Sequence, residues 1–122
     1  MDDYVLVVDD HPDVRKLVID VLDVMGYAAQ EAVNGQEALD VVAENKPNLI
    51  VLDLMMPVMD GFTTLTRLHA DPTNRGIPVI LLSAIAEDAD SMKRLPGVKG
   101  VLRKGSFTVA ELRDLMAAIL ES

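Results

Sequence analysis

Short apolar runs alternate with helical periodicity along this chain, and most runs end at a polar or charged residue. In the clearest case, the four apolar residues 49–52 end at Asp53, which predicts a short strand buried on both faces. Pro57 prevents a simple continuation of the strand, and Asp60 and Gly61 mark a turn before the next helical pattern. A carboxylate at the end of a buried strand is costly unless other groups compensate it, so the partners of Asp53 become the central question.

Four other runs predict strands at residues 4–8, 28–32, 78–82 and 98–103. The second of these is weak, and it is predicted mainly because the chain must cross back between two helices. The other three are followed by groups that carry chemistry, namely Asp9 and Asp10, Ser83, and Lys104.

The segments between the runs have the apolar spacing of helices. The predicted helices start at Pro12, after a turn at Asn34 and Gly35, near Phe62, near Glu87 and after the capping box of Thr108 and Glu111. Residues 71–76 are expected to form a loop, and Pro96 with Gly97 should cut the fourth helix short.

Two of these helices show a clear apolar face. The first, which Gly26 should end, has the face Val14, Leu17, Val18, Val21, Leu22 and Met25. The last has the face Val109, Leu112, Leu115, Met116 and Ile119.

Alternation of strand and helix indicates a doubly wound α/β fold in one domain, residues 1–122, with five parallel strands and helices on both sheet faces. The flavodoxin-like strand order 2-1-3-4-5 is a common solution for such chains. It would place the first and third strands side by side, so that Asp9, Asp10 and Asp53 meet at one edge. Ser83 and Lys104 would face these acids from the fourth and fifth strands.

Composition narrows the function classes. The chain has 122 residues and no cysteine, and the lack of cysteine excludes a disulfide framework. Its formal charge of −9 argues against nonspecific binding to nucleic acid or anionic lipid. No apolar run is long enough to span a membrane, and the first residues lack the basic region of a signal peptide, so a cytoplasmic location is expected.

The predicted cluster suits phosphoryl chemistry on a divalent cation. Clustered carboxylates repel one another, and Mg²⁺ relieves this repulsion because it prefers oxygen ligands. We expect Asp9 and Asp10 to bind the metal and Asp53 to attack phosphorus, with Lys104 neutralising charge and Ser83 donating to a phosphoryl oxygen. Taken alone, each of these residues is also explained as a helix cap, a turn residue or a solvated side chain. Their convergence from separate strand ends is what favours function.

Other side chains with possible chemistry are given ordinary roles. His11 precedes a proline at a helix start and needs no special function, and His69 is expected at the surface. Met55, Met56 and Met59 are expected to pack in the core and loop, since no cysteine accompanies them in a soft-metal site.

Taken together, these motifs resemble the receiver domain of bacterial two-component response regulators. Asp9 and Asp10 resemble its acidic pair, residues 53–61 its phosphoacceptor segment, and residues 33–39 the entry to its second helix. Ser83 and Lys104 match its hydroxyl and lysine positions. The resemblance covers the whole chain.

The resemblance implies a signalling switch rather than a metabolic enzyme. A histidine kinase or histidine phosphotransfer protein would phosphorylate Asp53, with Mg²⁺ (Mn²⁺ as a substitute) held by the acidic pair, Asp53 and the backbone carbonyl of Met55. Phosphorylation would draw Ser83 inward and shift the face of the fourth helix, fifth strand and fifth helix for an effector protein, with a phosphorylation-dependent homodimer as a further option. No output domain follows, which suggests a stand-alone receiver or one cut from a longer protein.

Two positions depart from the family. Gly105 follows the lysine where the family has a proline with a cis bond, so we predict either a trans bond with a shifted loop or a strained bond. Val101 stands at the position of the aromatic switch residue, which puts the usual output mechanism in doubt.

Met55 and Ile85 are expected to flank the path of attacking water and so to slow hydrolysis of the phosphoryl group.

Three alternatives remain open. The first is a binding module of the same fold that is never productively phosphorylated. The second is a Mg²⁺-dependent phosphohydrolase, although such enzymes carry a second acid where this chain has Met55. The third is a flavodoxin-like redox protein, whose phosphate loop is missing after the first strand.

Overall fold

A five-stranded parallel sheet forms the centre of this computed structural model, which describes residues 3–84 and 89–121. The strands are β1 (Tyr4–Val8), β2 (Ala28–Ala32), β3 (Leu49–Asp53), β4 (Val79–Ser83) and β5 (Val98–Arg103). They lie in the order β2-β1-β3-β4-β5 and every neighbouring pair is parallel. This confirms the doubly wound fold and the strand order that the sequence predicts, including the weak strand β2.

Helices cover both faces of the sheet. They are α1 (Pro12–Met25), α2 (Gly35–Glu44), α3 (Gly61–Ala70), α4 (Ala89–Lys93) and α5 (Val109–Leu120). Helices α1 and α5 pack on one face, whereas α2, α3 and α4 pack on the other. Alternate residues of β1 supply the two cores, with Leu6 in one and Val7 in the other, because successive strand side chains point to opposite faces. In the part of the chain that the structure describes, no helix has the length and apolar character to cross a bilayer.

Local signals fix most helix ends. Gly26 ends α1 in a left-handed conformation at φ 88°, and Thr108 and Glu111 form the predicted capping box of α5. The turn predicted at Asn34 and Gly35 is the start of α2 itself. The Asn34 side chain accepts a hydrogen bond from the Glu37 amide and so caps this helix. The predicted loop at residues 71–76 contains one 3₁₀ turn, Pro72–Asn74.

Apolar periodicity overstates burial at a few positions. Leu17, Phe62 and Val109 lie on predicted core faces, yet 37%, 46% and 51% of their surfaces are exposed. Phe62 and Val109 lie in the first turns of α3 and α5, whereas Leu17 lies inside α1 beside the buried Val18. His69, which is expected at the surface, is half-buried. The predicted start of the fourth helix at Glu87 falls outside the described residues.

Candidate functional site

The carboxyl ends of β1, β3 and β5 bring the predicted acids and lysine together. Asp53 is the last residue of β3, and Asp9 follows β1 directly. Val8 pairs with Leu52 in the parallel register of these neighbouring strands, so the acids that follow stand side by side. Both acids are fully buried, with 0% of their surface exposed. The sheet topology therefore creates a buried pair of carboxylates.

Lys104 compensates this pair. Its Nζ lies 2.9 Å from Asp53 Oδ2 and 3.0 Å from Asp9 Oδ2, and it donates a hydrogen bond to Asp9 Oδ1 at 3.1 Å. The backbone amide of Lys104 donates to the Ser83 carbonyl at 2.7 Å, which continues the β4–β5 ladder by one residue. Lys104 is therefore the partner that the buried position of Asp53 requires.

The pKa values of Asp53 and Lys104 are both raised by their surroundings. Burial is the main factor that raises the pKa of Asp53, and the neighbouring Asp9 adds to it, while the Lys104 hydrogen bond opposes it. Burial alone would lower the pKa of Lys104, but its hydrogen bonds and charge attraction to Asp53 and Asp9 raise it overall. Lys104 is consequently an ammonium ion at neutral pH.

The loop after β3 is held by backbone contacts. Met55 donates its amide to Asp53 Oδ1 at 3.2 Å, and the Gly61 amide returns to the Leu54 carbonyl at 3.0 Å. A Cβ at Gly61 would lie 2.6 Å from the Asp53 carbonyl oxygen and 2.8 Å from Leu54 Cα. Only glycine allows α3 to start this close to the strand end.

Pro57 lies in a tight turn of this loop. Its carbonyl accepts the Met59 amide at 2.8 Å, and the intervening Val58 has φ 73°. These features define a γ-turn, a strained conformation for a β-branched residue. Met59 is buried and fills the core, whereas Met55 is 61% exposed and borders the solvent side of the site.

The remaining predicted residues lie nearby. Ser83 ends β4 and is 1% exposed. Val101 is half-buried on β5 and packs against the core beneath α4. Described peptide bonds are all trans, including Lys104–Gly105, which agrees with the trans geometry given as one of two options. Gly105 has φ 89°, a conformation that glycine adopts without strain. Ile85 lies outside the described residues.

His11 is the site residue that the sequence interpretation missed. Its Nδ1 lies 3.1 Å from Asp9 Oδ1, 3.2 Å from Asp10 Oδ1 and 3.0 Å from Lys104 Nζ. The His11 amide donates to Asp9 Oδ1 at 2.8 Å, which turns the chain so that the imidazole faces the acids. Its position directly after two strand-end acids was the available signal.

The donor set fits a divalent cation. One ligand atom from each of Asp9, Asp10, His11 and Asp53 lies within 4.8 Å of the others. Asp10 Oδ1 is buried and accepts no hydrogen bond from the described residues, and the same holds for Asp9 Oδ2, although Lys104 Nζ lies close to it. Buried carboxylate oxygens without hydrogen bonds are suited to a metal ion.

Family comparison agrees with this geometry. The family model for the response regulator receiver domain matches residues 5–119. The chain is 36% identical to the DNA-binding dual master transcriptional regulator RpaA of Synechocystis over 117 residues, which is 95% of this chain and 48% of that protein. It is 34% identical to the phosphate regulon transcriptional regulatory protein PhoB of Pseudomonas aeruginosa, covering 95% of this chain and 51% of that protein.

Solved structures show the same fold. The chemotaxis response regulator CheY4 of Vibrio cholerae aligns with a TM-score of 0.87 and 26% identity, covering 98% of this chain and 100% of that chain. The receiver domain of the Francisella response regulator 1452 aligns with a TM-score of 0.85 and 30% identity, covering 98% and 97%. The chain therefore belongs to the response regulator receiver domain family of two-component systems, a class of signalling switch. It spans about half the length of RpaA and PhoB.

Proposed function

We propose that this receiver domain is switched by phosphorylation of Asp53. The observation that carries the proposal is the contact of Lys104 Nζ with both Asp53 Oδ2, at 2.9 Å, and Asp9, which joins the acceptor carboxylate to the acidic pair through one cation. Lys104 keeps its charge at neutral pH, so the lysine can neutralise the negative charge that a phosphoryl group brings.

In the proposed reaction, a carboxylate oxygen of Asp53 attacks the phosphorus of a phosphohistidine. The new bond joins this oxygen to phosphorus, while the bond between phosphorus and the imidazole nitrogen breaks and its electron pair returns to the imidazole. Asp9, Asp10, Asp53 and the Met55 carbonyl would hold Mg²⁺, or Mn²⁺ in its place, which supplies further charge neutralisation to the phosphoryl oxygens. Ser83, at the end of β4, would donate to a phosphoryl oxygen.

The proposed output uses the face of α4, β5 and α5. Phosphorylation replaces the single negative charge of the Asp53 carboxylate with a phosphoryl group that carries about 1.5 to 2, next to the contacts of Lys104 at the end of β5. Since Lys104 directly follows β5, the strand that carries Val101, a change in the lysine contacts can bias the packing of this face. We propose a histidine kinase or phosphotransfer protein as donor and an effector protein as target, acting in the cytoplasm with residues 1–122 as one domain. Phosphorylation-dependent pairing with a second copy is part of the same proposal.

Intact-protein mass spectrometry after treatment with acetyl phosphate tests the chemistry. We expect one phosphoryl adduct on the wild-type protein in Mg²⁺ and none in its absence or in Asp53→Asn. Asp13→Asn is the matched control, because Asp13 is exposed on α1 and lies outside the site. It should be labelled like the wild type.

Two outcomes would contradict the proposal. An adduct that persists in Asp53→Asn would place the acceptor elsewhere. The absence of any adduct, from acetyl phosphate and from a phosphohistidine donor alike, would instead define a binding module that works without phosphorylation.

A further inference from the structure

His11 contributes a nitrogen donor to a cluster otherwise made of oxygen. Its side chain is 60% exposed, so solvent reaches the ring, while Nδ1 lies within 3.2 Å of both Asp9 Oδ1 and Asp10 Oδ1. The side chain makes no capping hydrogen bond to α1, although His11 occupies the N-cap position. Helix capping therefore does not explain why the ring lies here.

The ring atom Nδ1 also lies next to Lys104. A neutral imidazole has two tautomers: with the proton on Nδ1 the ring would donate to Asp9 Oδ1 or Asp10 Oδ1. With the proton on Nε2 it presents the Nδ1 lone pair to Lys104 Nζ, 3.0 Å away, because an ammonium group has three donors and no acceptor. In this arrangement Nδ1, Asp9 Oδ1 and Asp10 Oδ1 are three acceptors gathered around one small volume. Acceptors gathered in this way need a cation between them, and Lys104 supplies only part of that charge.

The distances suit a single metal ion. A small divalent ion holds its donors at about 2.1 Å, so neighbouring donors in an octahedron lie about 3 Å apart and opposite donors about 4.2 Å apart. The separations from Nδ1 to the Asp9 and Asp10 oxygens are 3.1 and 3.2 Å, which match neighbouring positions. The complete set, with Asp53, lies within 4.8 Å.

We propose that His11 Nδ1 is a metal ligand, and that it makes the site bind late first-row divalent cations such as Ni²⁺, Co²⁺ and Zn²⁺ more tightly than Mg²⁺. The inference rests on the proposed function, since it uses the same carboxylates. Imidazole nitrogen strengthens binding of these ions, whereas Mg²⁺ prefers oxygen and gives up its water reluctantly. On binding, the ion replaces the ammonium as the partner of Nδ1, and it competes with Mg²⁺ for Asp9 and Asp10.

Calorimetric titration with Ni²⁺ and with Mg²⁺ separates the two donor types. The variants are His11→Gln and His69→Gln, which remove in turn the only two histidines of the chain. We expect the wild type to bind Ni²⁺ at least tenfold more tightly than Mg²⁺. In His11→Gln, Ni²⁺ affinity should fall by about 10- to 100-fold, the range seen when a group supporting a metal site is lost, while Mg²⁺ affinity stays within about twofold because the oxygen donors remain. His69→Gln should match the wild type for both ions.

A second readout identifies the ligand atom directly. In protein labelled with ¹⁵N-histidine, addition of Zn²⁺ should shift the Nδ1 resonance of one imidazole, and this resonance should be absent in His11→Gln and present in His69→Gln.

The outcomes distinguish the inference from the proposed function. Unchanged Ni²⁺ affinity in His11→Gln, or a Zn²⁺ shift confined to His69, overturns the inference and leaves the Mg²⁺ site intact. If the wild type binds neither Mg²⁺ nor Ni²⁺, both the inference and the proposed function are overturned. Retained Mg²⁺ binding in His11→Gln shows that a loss of Ni²⁺ affinity does not come from misfolding.

Discussion

The acidic end of the sheet and the α4–β5–α5 face differ in how tightly their residues are held. At the acidic end, Asp9 and Asp53 are fully buried, and Lys104 contacts both of them. On the other face, Val101 is half-buried and Val109 is 51% exposed. The acidic end is fixed by several contacts at once, whereas the face is a partly open surface.

A cavity of about 430 Å³ lies between α3 and the segment that leads into β5, lined by Phe62, Leu65, Thr66, His69, Ala70, Leu95 and Pro96. Gly97 follows with φ 82°, and a Cβ there would lie 2.8 Å from His69 Nε2. In the proposed switch, the chemistry would therefore depend on strand ends, which a sheet places rigidly, whereas the output would depend on surface side chains that can vary without loss of the fold.

Removal of the central cation should give the largest effect. Lys104→Met leaves the buried carboxylates of Asp9 and Asp53 without their ammonium partner, and breaking a buried ion pair in this way costs about 3–5 kcal/mol. Urea unfolding without divalent cations measures the loss. Lys99→Met is the matched control, because Lys99 is an exposed lysine on β5, the strand that leads to Lys104, and should change stability by less than about 0.5 kcal/mol. Equal losses in the two variants would show that the acidic end is no more constrained than the face.

Backbone crowding at the strand end gives the next largest effect. In Gly61→Ala the new methyl group would lie 2.6 Å from the Asp53 carbonyl oxygen, so we expect a loss of about 1–3 kcal/mol from overpacking. Gly76→Ala is the control, since nothing lies within 4 Å of a Cβ at that position. Thermal unfolding compares the two. A Gly61→Ala protein as stable as Gly76→Ala would contradict the close approach of α3 to β3.

The charge of Asp53 should have a smaller and pH-dependent effect. Because burial and Asp9 raise its pKa above the ordinary value of 3.8, the folded state holds the proton more tightly than the unfolded chain does. At a pH below 3.8, protonation of Asp53 therefore stabilises the folded state. This stabilisation is lost as the pH rises through the raised pKa of the folded protein. At pH 7 without divalent cations, Asp53→Asn should be more stable than the wild type, because it removes a buried charge beside Asp9 while Lys104 keeps Asp9 as its partner.

Urea unfolding at pH 7 and pH 3.5 checks this sign. The stability advantage of Asp53→Asn should shrink at the lower pH, and Mg²⁺ should reverse it at pH 7, because the ion stabilises only a protein that binds it. Asp13→Asn, an exposed acid, serves as the control at both pH values. A variant less stable than the wild type at pH 7 without metal would show that the Lys104 contact outweighs the repulsion.

The smallest effect is expected on the α4–β5–α5 face. Val101→Phe enlarges a half-buried side chain that has room towards solvent, so stability should change by less than about 1 kcal/mol. The Mg²⁺ affinity of the acidic end should stay within about twofold, since no oxygen donor changes. Leu102→Ala is the contrast, because Leu102 is only 8% exposed and its loss should cost about 2–5 kcal/mol. A Val101→Phe protein with altered Mg²⁺ affinity would show that the two regions are coupled even before phosphorylation.

The strand order and the meeting of Asp9, Asp53 and Lys104 could be predicted from the sequence. Apolar runs that end in charged residues are local signals, and a doubly wound parallel sheet must gather strand ends at one edge. Helix ends at Gly26 and Thr108 were equally predictable, because caps act within a few residues.

The exact neighbours of each group depended on the tertiary structure. Long-range packing decided three features: the direction of the His11 ring, the contact of Lys104 with both acids, and the exposure of Leu17 and Val109. The bond after Lys104 was left open between two geometries, and the structure places it in trans with Gly105 at φ 89°. The sequence by itself thus determined that Asp9, Asp53 and Lys104 reach the site, because hydrophobic pattern sets the topology, but it did not indicate that His11 joins them. Only the folded chain decided which of them touch, because distances of about 3 Å are set by the packing of helices and loops that are far apart in sequence.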